Sequence, residues 1–401
     1  MAPLSVPEAL ARILDGVSIL GFEDVDLVAA RGRLLARSLS ARHSQPPFDA
    51  SAMDGYAVRG ADVQTLPARL EVVGEAAAGH PYPGALDEGQ AVRIFTGAPV
   101  PDGADAIVIQ ENTQRDGSFV IVREGTPDPG HIRKRGSDFS DGATLLPAGV
   151  RLEPRYLALA ASMGHGRLPV VRKPVIAILA TGDELVEPGG SLGPGQIICS
   201  NPYGVAAMVE GAGAEARIIG IARDTAESLT KRLAAAEGAD ILVTIGGASV
   251  GDHDLVARVL QANGMTLDFW KIAMRPGKPL IFGRRGPQRI IGLPGNPVSS
   301  LICTRVFVVP LIQRLLGLGP EADALETARL LHALERNGPR QHYMRARLTT
   351  AEDGTLEVST VASQDSSLLA SLASADCLIV REAHAGALPA GSSVYIMRID
   401  F

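Results

Sequence analysis

Apolar side chains recur at three- and four-residue steps in the first 40 residues, at 6–17 and again at 32–41, and this spacing predicts helices. Helical spacing returns at 153–164, where a glycine ends the pattern. The segment 168–175 is typical of a linker into another domain. These parts of the chain are therefore predicted to form helical pieces.

A different pattern occupies the chain between the helical pieces, from about Pro46 to Ala143. Short runs of β-type residues are separated there by Gly, Pro and Asp, as in an all-β unit. The runs lie at 70–76, 90–97, 104–111 and 118–124. The β unit is interpreted as an insertion between two helical pieces.

From Lys173 to about Gly317, continuous apolar runs alternate with amphipathic helical segments. The apolar runs are 174–182, 215–222 and 240–247, and the helical segments are 201–213, 224–238 and 253–264. This alternation indicates a parallel sheet covered by helices on both faces. Ligands of such sheets bind beyond the carboxyl ends of the strands. The last 80 residues predict a helix at 325–335, followed by the strands of a compact β-domain.

Composition and charge narrow the classes of function. The chain is 46% hydrophobic with 44 glycines and 27 prolines, which is typical of a globular protein with many turns. Its net charge of -6 argues against general binding to nucleic acid or to anionic lipid. Cys199, Cys303 and Cys377 have no metal-ligand spacing and fit a reducing compartment. Acidic residues near the N-terminus and the lack of a long apolar run indicate neither a signal peptide nor a membrane span, so a cytoplasmic location is expected.

Acidic side chains follow each of the three predicted parallel strands. Asp183 and Glu184 follow the first strand, Asp224 the second, and Asp252 and Asp254 the third. Each of them alone fits an ordinary residue of a helix first turn. Together they suggest a site for a divalent cation, since Mg²⁺ prefers oxygen ligands and often binds one or two carboxylates plus phosphate.

A basic segment lies further along the same domain. Lys271, Arg275 and Lys278 place three cations within eight residues, which suits the binding of an oxyanion. In the nearby LPGNPVSS stretch, Asn296 and Pro297 fit the N-cap and first position of a helix. The Ser299 and Ser300 hydroxyls and the first N–H groups of that helix are then expected to form an anion nest. An ordinary capped helix is the alternative.

The β insertion carries its own polar residues in tight turns. They are Asp49, Ser51, Asp54, Thr96, the basic run 133–135 and Asp138. Because tight turns favour Asp, Gly and Pro for conformational reasons, these residues alone do not distinguish a site from ordinary loops.

Ser249 lies in a G-A-S-V-G sequence between a predicted strand and a predicted helix, as in the nucleophile elbow of a serine hydrolase. His332, His342 and His384 lie downstream as candidate triad partners. Asp252 and Asp254 argue against this alternative, because their charges oppose an oxyanion that must be stabilised. A phosphate and magnesium cradle, in which Ser249 orients the substrate, is the preferred interpretation.

Six motifs, in order and in spacing, resemble those of the molybdopterin molybdenumtransferases, the family that includes MoeA and the gephyrin E domain. They are FDASAMDGYAV, RIFTGAPVPDGADAIV, ILATGDELVEPG, TIGGASVGDHD, FWKIAMRPGKPL and GLPGNPVSS. The resemblance covers nearly the whole chain. It implies a reaction that converts adenylylated molybdopterin and molybdate to molybdenum cofactor and AMP, assisted by Mg²⁺.

The resemblance also implies an elongated multidomain protein of α/β and β structure. Its parts would be a discontinuous helical domain, an inserted β-domain, a doubly wound, mostly parallel α/β molybdopterin-binding domain and a C-terminal β-barrel, at 1–45 with 143–172, 46–142, 173–322 and 323–401. It further implies a cytoplasmic homodimer whose site lies between the α/β domain of one subunit and the β-domain of its partner. Transient contact with other molybdenum-cofactor enzymes is expected.

Matching motifs assign expected roles to single residues. Those implied to act in catalysis are Asp54, Thr96, Glu184, Asp224 and Asp254, of which Glu184, Asp224 and Asp254 are the expected Mg²⁺ ligands. Those implied to bind substrate are Asp138, the basic-segment residues Lys271, Arg275 and Lys278, and Ser299, Arg345 and Ser366, which match a pocket associated with molybdate. Ser249 is added to the substrate-binding residues as the orienting hydroxyl.

Two positions depart from the family pattern. Arg275 replaces a lysine found in many relatives, and its guanidinium can hold an oxyanion more rigidly than an ammonium. Asp365 replaces a glycine, and a carboxylate beside an oxyanion is repulsive by about 1 kcal/mol or more at contact distance. A third hypothesis is a scaffold protein that kept the fold and lost catalysis. The presence of Asp54, Glu184 and the other matched acids favours retained catalytic activity instead.

Overall fold

The computed structural model describes residues 3–247, 255–319 and 325–399. The chain divides into two compact units, one made of the residues up to Glu23 together with those from Val171 onward, and the other of Asp24–Val170. The helices of the described chain are α1 (Val6–Leu14), α2 (Pro154–Ser162), α3 (Asn201–Gly211), α4 (Ala226–Leu233), α5 (Leu255–Ala262), α6 (Pro297–Cys303), α7 (Val309–Leu316) and α8 (Leu369–Ala373).

The strands of the first half are β1 (Phe22–Asp26), β2 (Leu39–Ser40), β3 (Ala50–Ser51), β4 (Gly55–Val58), β5 (Ala68–Ala76), β6 (Gln90–Ile94), β7 (Ala106–Ile109), β8 (Thr113–Asp116), β9 (Phe119–Val122), β10 (Ile132–Arg133), β11 (Thr144–Leu146) and β12 (Arg167–Val171). Those of the second half are β13 (Val175–Thr181), β14 (Leu185–Val186), β15 (Ile197–Ile198), β16 (Glu215–Ala222), β17 (Ile241–Ile245), β18 (Thr266–Lys271), β19 (Met274–Arg275), β20 (Pro279–Arg285), β21 (Gln288–Leu293), β22 (Glu326–Leu330), β23 (Gln341–Thr350), β24 (Leu356–Thr360), β25 (Cys377–Arg381) and β26 (Ser393–Arg398).

The unit Asp24–Val170 contains the predicted β insertion. Six strands form one sheet in the order β7-β4-β6-β5-β9-β8, and separate apolar clusters lie on its two faces. The four β-type runs of the sequence are confirmed as β5, β6, β7 and β9. A third cluster packs α2 against the chain around Leu35 and Leu39.

The helix expected at 32–41 is absent, and that prediction was wrong. Leu34 and Leu35 instead form β-bridges with Arg151 and Val170, and Leu39–Ser40 pairs with β11. Leu35, Leu39 and Ala41 are buried in the apolar cluster that contains Met163. Because burial against another segment can override local helical spacing, the periodicity was misleading here.

The other unit is built on a six-stranded sheet in the order β16-β13-β17-β21-β20-β18. The pairings from β16 to β21 are parallel, while β21–β20 and β20–β18 are antiparallel. One apolar cluster includes residues of α1, α3, α6 and α7, and a second, smaller cluster includes residues of α4 and α5. The predicted mostly parallel sheet with two covered faces is confirmed.

Helix α1 belongs to this unit rather than to the unit that contains α2. Ser5 caps it through a capping box with Glu8, and Pro7 lies in its first turn, so its start agrees with the sequence pattern. Its buried face, Val6, Ala9 and Ile13, joins the larger apolar cluster of the α/β sheet. The two compact units therefore differ from the predicted discontinuous helical domain, 1–45 with 143–172, in that the residues up to Glu23 belong to the unit of the α/β sheet.

The C-terminal strands form a closed five-stranded barrel in the order β23-β24-β22-β26-β25, with β25 pairing back to β23. The barrel was predicted, but the helix at 325–335 was not found and that prediction was wrong. Its first part is β22, in which Ala328 and Leu330 are buried while Thr327 is exposed. Residues of this segment alternate between buried and more exposed positions, and the segment pairs with β26 and β24. These pairings stabilise it as a strand of the barrel, although its apolar residues also fit helical spacing.

One helical run, Pro297–Leu316, is long and apolar enough to cross a membrane by length and composition alone, with a mean hydropathy of 1.5. In the folded chain 78% of that window is buried inside the protein. A π-helical segment, Thr304–Val308, joins α6 to α7 within it. The run therefore serves as a core helix of its unit.

Candidate functional site

A cleft of about 1020 Å³ opens at the carboxyl ends of the four parallel strands. Segments that follow β13, β16, β17 and β21 all contribute to its wall, together with the β19–β20 connection and the barrel loop 364–369. The polar and charged residues of the wall are Thr181, Glu184, Ser200, Asn201, Asp224, Arg275, Lys278, Asn296, Ser299, Arg340, Gln364, Asp365, Ser366 and Ser367. Six of the predicted site residues thus share one cavity: Glu184, Asp224, Arg275, Lys278, Ser299 and Ser366.

The acidic side of the cleft is built by the turns after β13 and β16. Glu184 and Asp224 line it. Arg223, next to Asp224, holds the turn after β13, because its guanidinium donates to the carbonyls of Asp183 at 2.8 Å and Leu185 at 3.2 Å. The backbone N–H of Asp224 donates to the Asp183 carboxylate at 3.1 Å. The strand ends therefore bring carboxylates from two separate parts of the sequence to one place.

The electrostatics of this corner fit a cation. Partial burial, and then the negative charges of Asp183 and Glu184, raise the pKa of Asp224 above its ordinary value. A bound cation would relieve that repulsion, and the available donors are the oxygens that Mg²⁺ prefers. No group of three potential metal-ligating side chains is found within residues 3–247, 255–319 and 325–399. The third expected ligand, Asp254, lies outside the described residues, as do Ser249 and Asp252.

The turn after β17 requires glycine. Gly246 has a φ of +93°, and a Cβ at this position would lie 2.6 Å from the carbonyl oxygen of Thr181. A side chain there would therefore clash with the end of β13 and adopt a strained backbone conformation. Gly246 and Gly247 keep the two strand ends close, so that backbone rather than side chains lines this part of the cleft.

The basic side of the cleft is formed by Arg275 and Lys278, which flank the turn between β19 and β20. Both are exposed, and neither side chain forms a hydrogen bond or an ion pair with another described residue. Lys271 does not line the cleft. Its ammonium lies 4.2 Å from the centre of the Trp270 ring, a cation–π contact on the strand before the turn.

The N-terminus of α6 meets the barrel loop at the cleft. Asn296 is the N-cap residue as predicted, but its side-chain amide donates to the Ser366 hydroxyl at 2.8 Å rather than capping the helix. The backbone N–H of Val298 donates to the carbonyl of Ser366 at 3.1 Å. Ser366 is therefore positioned by α6, although it lies some 70 residues away in sequence.

The two serines of α6 have different surroundings. Ser299 is 3% exposed and lines the cleft. Ser300 is fully buried, and its hydroxyl donates to the carbonyl of Pro297 at 2.9 Å. The expectation that both hydroxyls point outward was therefore wrong for Ser300, because its hydroxyl is turned back onto its own helix.

Arg345 lies beneath the barrel loop instead of in the cleft wall. It is 1% exposed, and its guanidinium donates to the carbonyls of Ser363, Asp365 and Leu368 at distances from 2.9 to 3.2 Å. Burial lowers the pKa of this guanidinium. The side chain of Gln364 adds two bonds to the Arg345 backbone. The contacts of Arg345 thus fix the loop that carries Ser366.

Asp365, the residue that departs from the family glycine, lines the cleft as well. Its carboxylate accepts hydrogen bonds from the backbone N–H of Ser367 at 2.9 Å and from the Ser367 hydroxyl at 2.8 Å. These bonds, with the positive charge of Arg345, lower its pKa. The carboxylate is therefore engaged in a turn of its own loop.

Arg340 was missed in the sequence, and His342 was considered there only as a candidate triad partner of Ser249. Arg340 lines the cleft, and His342, two residues later on β23, pairs in register with Arg275. Burial and the positive charges of Arg275, Arg340, Arg345 and Arg381 lower the pKa of His342 to about 4. Only the spacing of Arg340 and Arg345 in PRQHYMRARL could have signalled a basic surface here.

The low pKa of His342 leads to a prediction about stability. An unfolded histidine has a pKa of about 6.5, so the unfolded chain takes up a proton as the pH falls from 6.5 toward 4, while folded His342 stays neutral. The wild type is therefore expected to lose about 2 kcal/mol more stability between pH 7.5 and 5 than His342→Gln. Calorimetric unfolding of both proteins at the two pH values checks this. Equal losses in the two proteins would contradict it.

The predicted residues of the β insertion lie in the other unit. The Asp54 carboxylate accepts hydrogen bonds from the backbone N–H and the hydroxyl of Thr96, both at 2.8 Å, and these bonds lower its pKa. Asp49 accepts bonds from Lys134 and from the Arg135 N–H, also at 2.8 Å. Asp138 is exposed. The structure thus pairs Asp54 with Thr96, and no hydrogen bond joins Asp138 to either of them.

Comparison with protein families gives three matches in chain order. Residues 4–164 match the MoeA N-terminal region (domain I and II), residues 177–314 match a probable molybdopterin binding domain, and residues 327–399 match the MoeA C-terminal region (domain IV). Together the matches cover most of the chain.

Known proteins of similar sequence and structure extend over the full length. The chain is 37% identical over 401 residues to a molybdopterin molybdenumtransferase of Haemophilus influenzae, covering 98% of each. It is 37% identical to one of Nostoc over 388 residues, covering 94% of this chain and 88% of the relative. The crystal structure of a molybdopterin biosynthesis MoeA protein from Pyrococcus horikosii is similar with a TM-score of 0.83 and 30% identity, covering 100% of both chains.

Proposed function

Because the chain belongs to the molybdopterin molybdenumtransferase family, and is therefore an enzyme of molybdenum cofactor biosynthesis, we propose that it inserts molybdenum from molybdate into adenylylated molybdopterin. Cleavage of the pyrophosphate link in this substrate releases AMP and molybdenum cofactor. Mg²⁺ is the proposed cofactor of the cleavage.

One observation carries the proposal: one cleft has carboxylates on one side and, on the other, cations that form no ion pair within residues 3–247, 255–319 and 325–399. Glu184 and Asp224 line the acidic side, and Arg275 and Lys278 the basic side. A substrate with a metal-bridged pyrophosphate and a nearby oxyanion requires both kinds of group. An ordinary sugar or peptide substrate would require neither the crowding of acids nor the two cations opposite them.

The proposed roles follow from these positions. Glu184, Asp224 and Asp254 would hold Mg²⁺, which when bound neutralises charge developing on the leaving phosphate. Ser249 is proposed to orient the substrate. Arg275 and Lys278 bind the oxyanion, and Ser299 and Ser366 donate hydroxyl hydrogen bonds to it. Arg345 and Asn296 hold Ser366 in place through the contacts described above.

The proposal includes a homodimer in the cytoplasm. The β insertion of a partner subunit would bring Asp54, Thr96 and Asp138 to the cleft, as family resemblance implies, and Lys271 would add to the positive field beside it. Other molybdenum-cofactor enzymes are the proposed transient partners. A monomer in sedimentation analysis at working concentration would contradict the shared site.

The direct test supplies the purified protein with adenylylated molybdopterin, molybdate and Mg²⁺, and measures AMP. Release of AMP that depends on both Mg²⁺ and molybdate is the expected result. Binding of the adenylylated substrate without any release of AMP would instead favour the scaffold hypothesis. Whether tungstate replaces molybdate is answered by the same assay.

Ser249→Ala is expected to retain substantial activity, within about tenfold of the wild type. An orienting hydroxyl contributes about one hydrogen bond, worth about 0.5–1.5 kcal/mol, whereas an attacking serine would be indispensable. AMP release by Ser249→Ala and by wild type at saturating substrate provides the comparison. Complete loss in a variant that still folds and binds the nucleotide would favour the hydrolase alternative.

A further inference from the structure

The turns after β13 and β16 start from neighbouring strand ends. The two strands pair in parallel as far as Thr181 and Ala222, and the N–H of Gly182 donates to the carbonyl of Ala222 at 3.1 Å. The turn after β13 carries Glu184, and the turn after β16 carries Asp224. Both residues line the acidic side of the cleft, so contacts that fix one turn against the other also fix the separation of these two backbones.

Arg223 makes such contacts through its side chain. Its guanidinium donates to the carbonyls of Asp183 at 2.8 Å, Leu185 at 3.2 Å and Gly182 at 3.5 Å. These carbonyls lie before and after Glu184, so the hydrogen bonds hold the backbone on both sides of that residue. A guanidinium presents several N–H donors in one rigid plane and is therefore suited to bind several carbonyls at once.

A second contact joins the two turns in the opposite direction. The backbone N–H of Asp224 donates to the Asp183 carboxylate at 3.1 Å. The N–H of Arg223 donates to the hydroxyl of Ser228 at 2.9 Å, which fixes the turn after β16 to the start of α4. Leu229 of α4 is buried in the smaller apolar cluster of the sheet. The guanidinium of Arg223 therefore extends from an anchored backbone.

Arg223 does not neutralise the carboxylates beside it. In the described part of the chain, the carboxylates of Glu184 and Asp224 form no ion pair and accept no hydrogen bond, although Arg223 is their neighbour. Arg172 behaves differently, since it donates to both carboxylate oxygens of Asp240 at 2.6 and 2.8 Å. The bonds of Arg223 to carbonyls thus leave the oxygens of Glu184 and Asp224 available to a cation.

We propose that Arg223 is a positioning residue, which holds the backbone of Glu184 beside Asp224 so that both carboxylates bind one divalent cation. The role rests on the proposed function and adds a residue that acts through the backbone of a turn. Turns that are ordered before the cation arrives bind it more tightly than loose turns, because less conformational entropy is lost on binding. The positive charge of Arg223 by itself opposes a cation, so the test must separate this charge from the hydrogen bonds.

The test measures cation binding without turnover. Mn²⁺, which suits the same oxygen ligands as Mg²⁺, is titrated into full-length wild type, Arg223→Lys and Arg232→Lys, and free Mn²⁺ is measured by electron paramagnetic resonance. Lysine keeps the charge and loses the planar fork. Arg232 is the matched control, because it is exposed on α4, does not line the cleft and donates to the carbonyl of Ile219 at 3.3 Å.

Arg223→Lys is expected to raise the Kd for Mn²⁺ by about 5- to 10-fold, as for the loss of one hydrogen bond to a charged group, while Arg232→Lys stays within about twofold of the wild type. A Kd of Arg223→Lys within about twofold of the wild type would overturn the proposal. Tighter binding by Arg223→Gln would then show that Arg223 acts through its charge alone. Absence of Mn²⁺ binding in the wild type would overturn the proposal as well.

Hydrogen exchange tests the mechanism and the folding of the variant together. Faster exchange in Arg223→Lys is expected for the amides of residues 182–186 and 223–225, because these turns lose their mutual support. The rest of the α/β sheet is expected to exchange as in the wild type. Faster exchange throughout the sheet would mean that Arg223 supports the fold in general, and it would overturn the positioning role.

The kinetics of AMP release give a separate measurement. In Arg223→Lys, the Mg²⁺ concentration for half-maximal release is expected to rise by about 5- to 10-fold, while kcat at saturating Mg²⁺ stays within about threefold of the wild type. A kcat that remains low at saturating Mg²⁺ would contradict a role in metal binding. If the wild type binds Mn²⁺ but releases no AMP, the proposed function fails, and the role of Arg223 stands or falls on the titrations alone.

Discussion

Glu184→Gln is expected to lower Mg²⁺-dependent AMP release by about 100-fold or more while the protein remains folded. The carboxylate lines the cleft beside Asp224, and the substitution removes a negative charge without changing the side-chain size. Loss of one charge-stabilising group at a reacting centre commonly costs about 10²–10³ in rate. Asp224→Asn and Asp254→Ala are expected to act in the same direction, because all three are proposed to share the metal.

Glu187→Gln is the matched control for Glu184→Gln. Glu187 is exposed three residues away, accepts a hydrogen bond from Tyr203 at 3.0 Å and does not line the cleft. Its activity should stay within about threefold of the wild type. Raising the Mg²⁺ concentration should restore part of the activity of Glu184→Gln and leave Glu187→Gln unchanged. Full activity of Glu184→Gln at limiting Mg²⁺ would remove Glu184 from the metal site.

Arg345→Lys is expected to destabilise the protein by about 3 kcal/mol and to raise the KM for molybdate by about 10-fold or more. One ammonium cannot reach the three carbonyls that the buried guanidinium now bonds, so at least two charge-assisted hydrogen bonds are lost. The loop that carries Ser366 would then lose its support. Thermal unfolding and the molybdate dependence of AMP release measure the two effects.

Arg347→Lys is the control on the same strand. Arg347 is exposed, and its guanidinium donates one hydrogen bond to a described residue, to the carbonyl of Ser374 at 3.0 Å. Little change in either measurement is expected for it. If Arg345→Lys unfolds like the wild type but fails to bind molybdate, Arg345 contacts the oxyanion directly, and its role as the support of the loop is excluded.

The strand ends of the α/β domain show why much of the candidate site could be predicted from the sequence. The apolar runs ended at Gly182, Ala222 and Gly247, within about two residues of where β13, β16 and β17 end in the structure. Parallel strands must present their carboxyl ends at one edge, so Glu184 and Asp224 were expected to converge. Both line the same cleft. Local patterning sufficed for β13 and β17 because both strands are buried on both faces and admit few alternatives.

The segments at 32–41 and 325–335 show where patterning failed. Both have apolar residues at helical spacing, and both pair with distant strands instead. Ala328 and Leu330 fill the barrel core only when the chain is extended. Short apolar segments fit more than one periodicity, and the partner strand that decides between them is not visible locally.

The amino-acid sequence by itself determined the family, the order of α/β and β parts, and the acids and bases of the cleft, because these depend on local periodicity and on motifs of neighbouring residues. Only the tertiary structure decided that Arg345 supports a loop, that Asn296 holds Ser366, and that Arg340 joins Arg275 at the cleft wall. These relations link residues that are about 20 to 70 positions apart, and they arise from packing of the barrel against the α/β sheet in a shared core. Hydrogen bonds formed by such packing produce no periodic pattern in the sequence, so they could not be predicted from it.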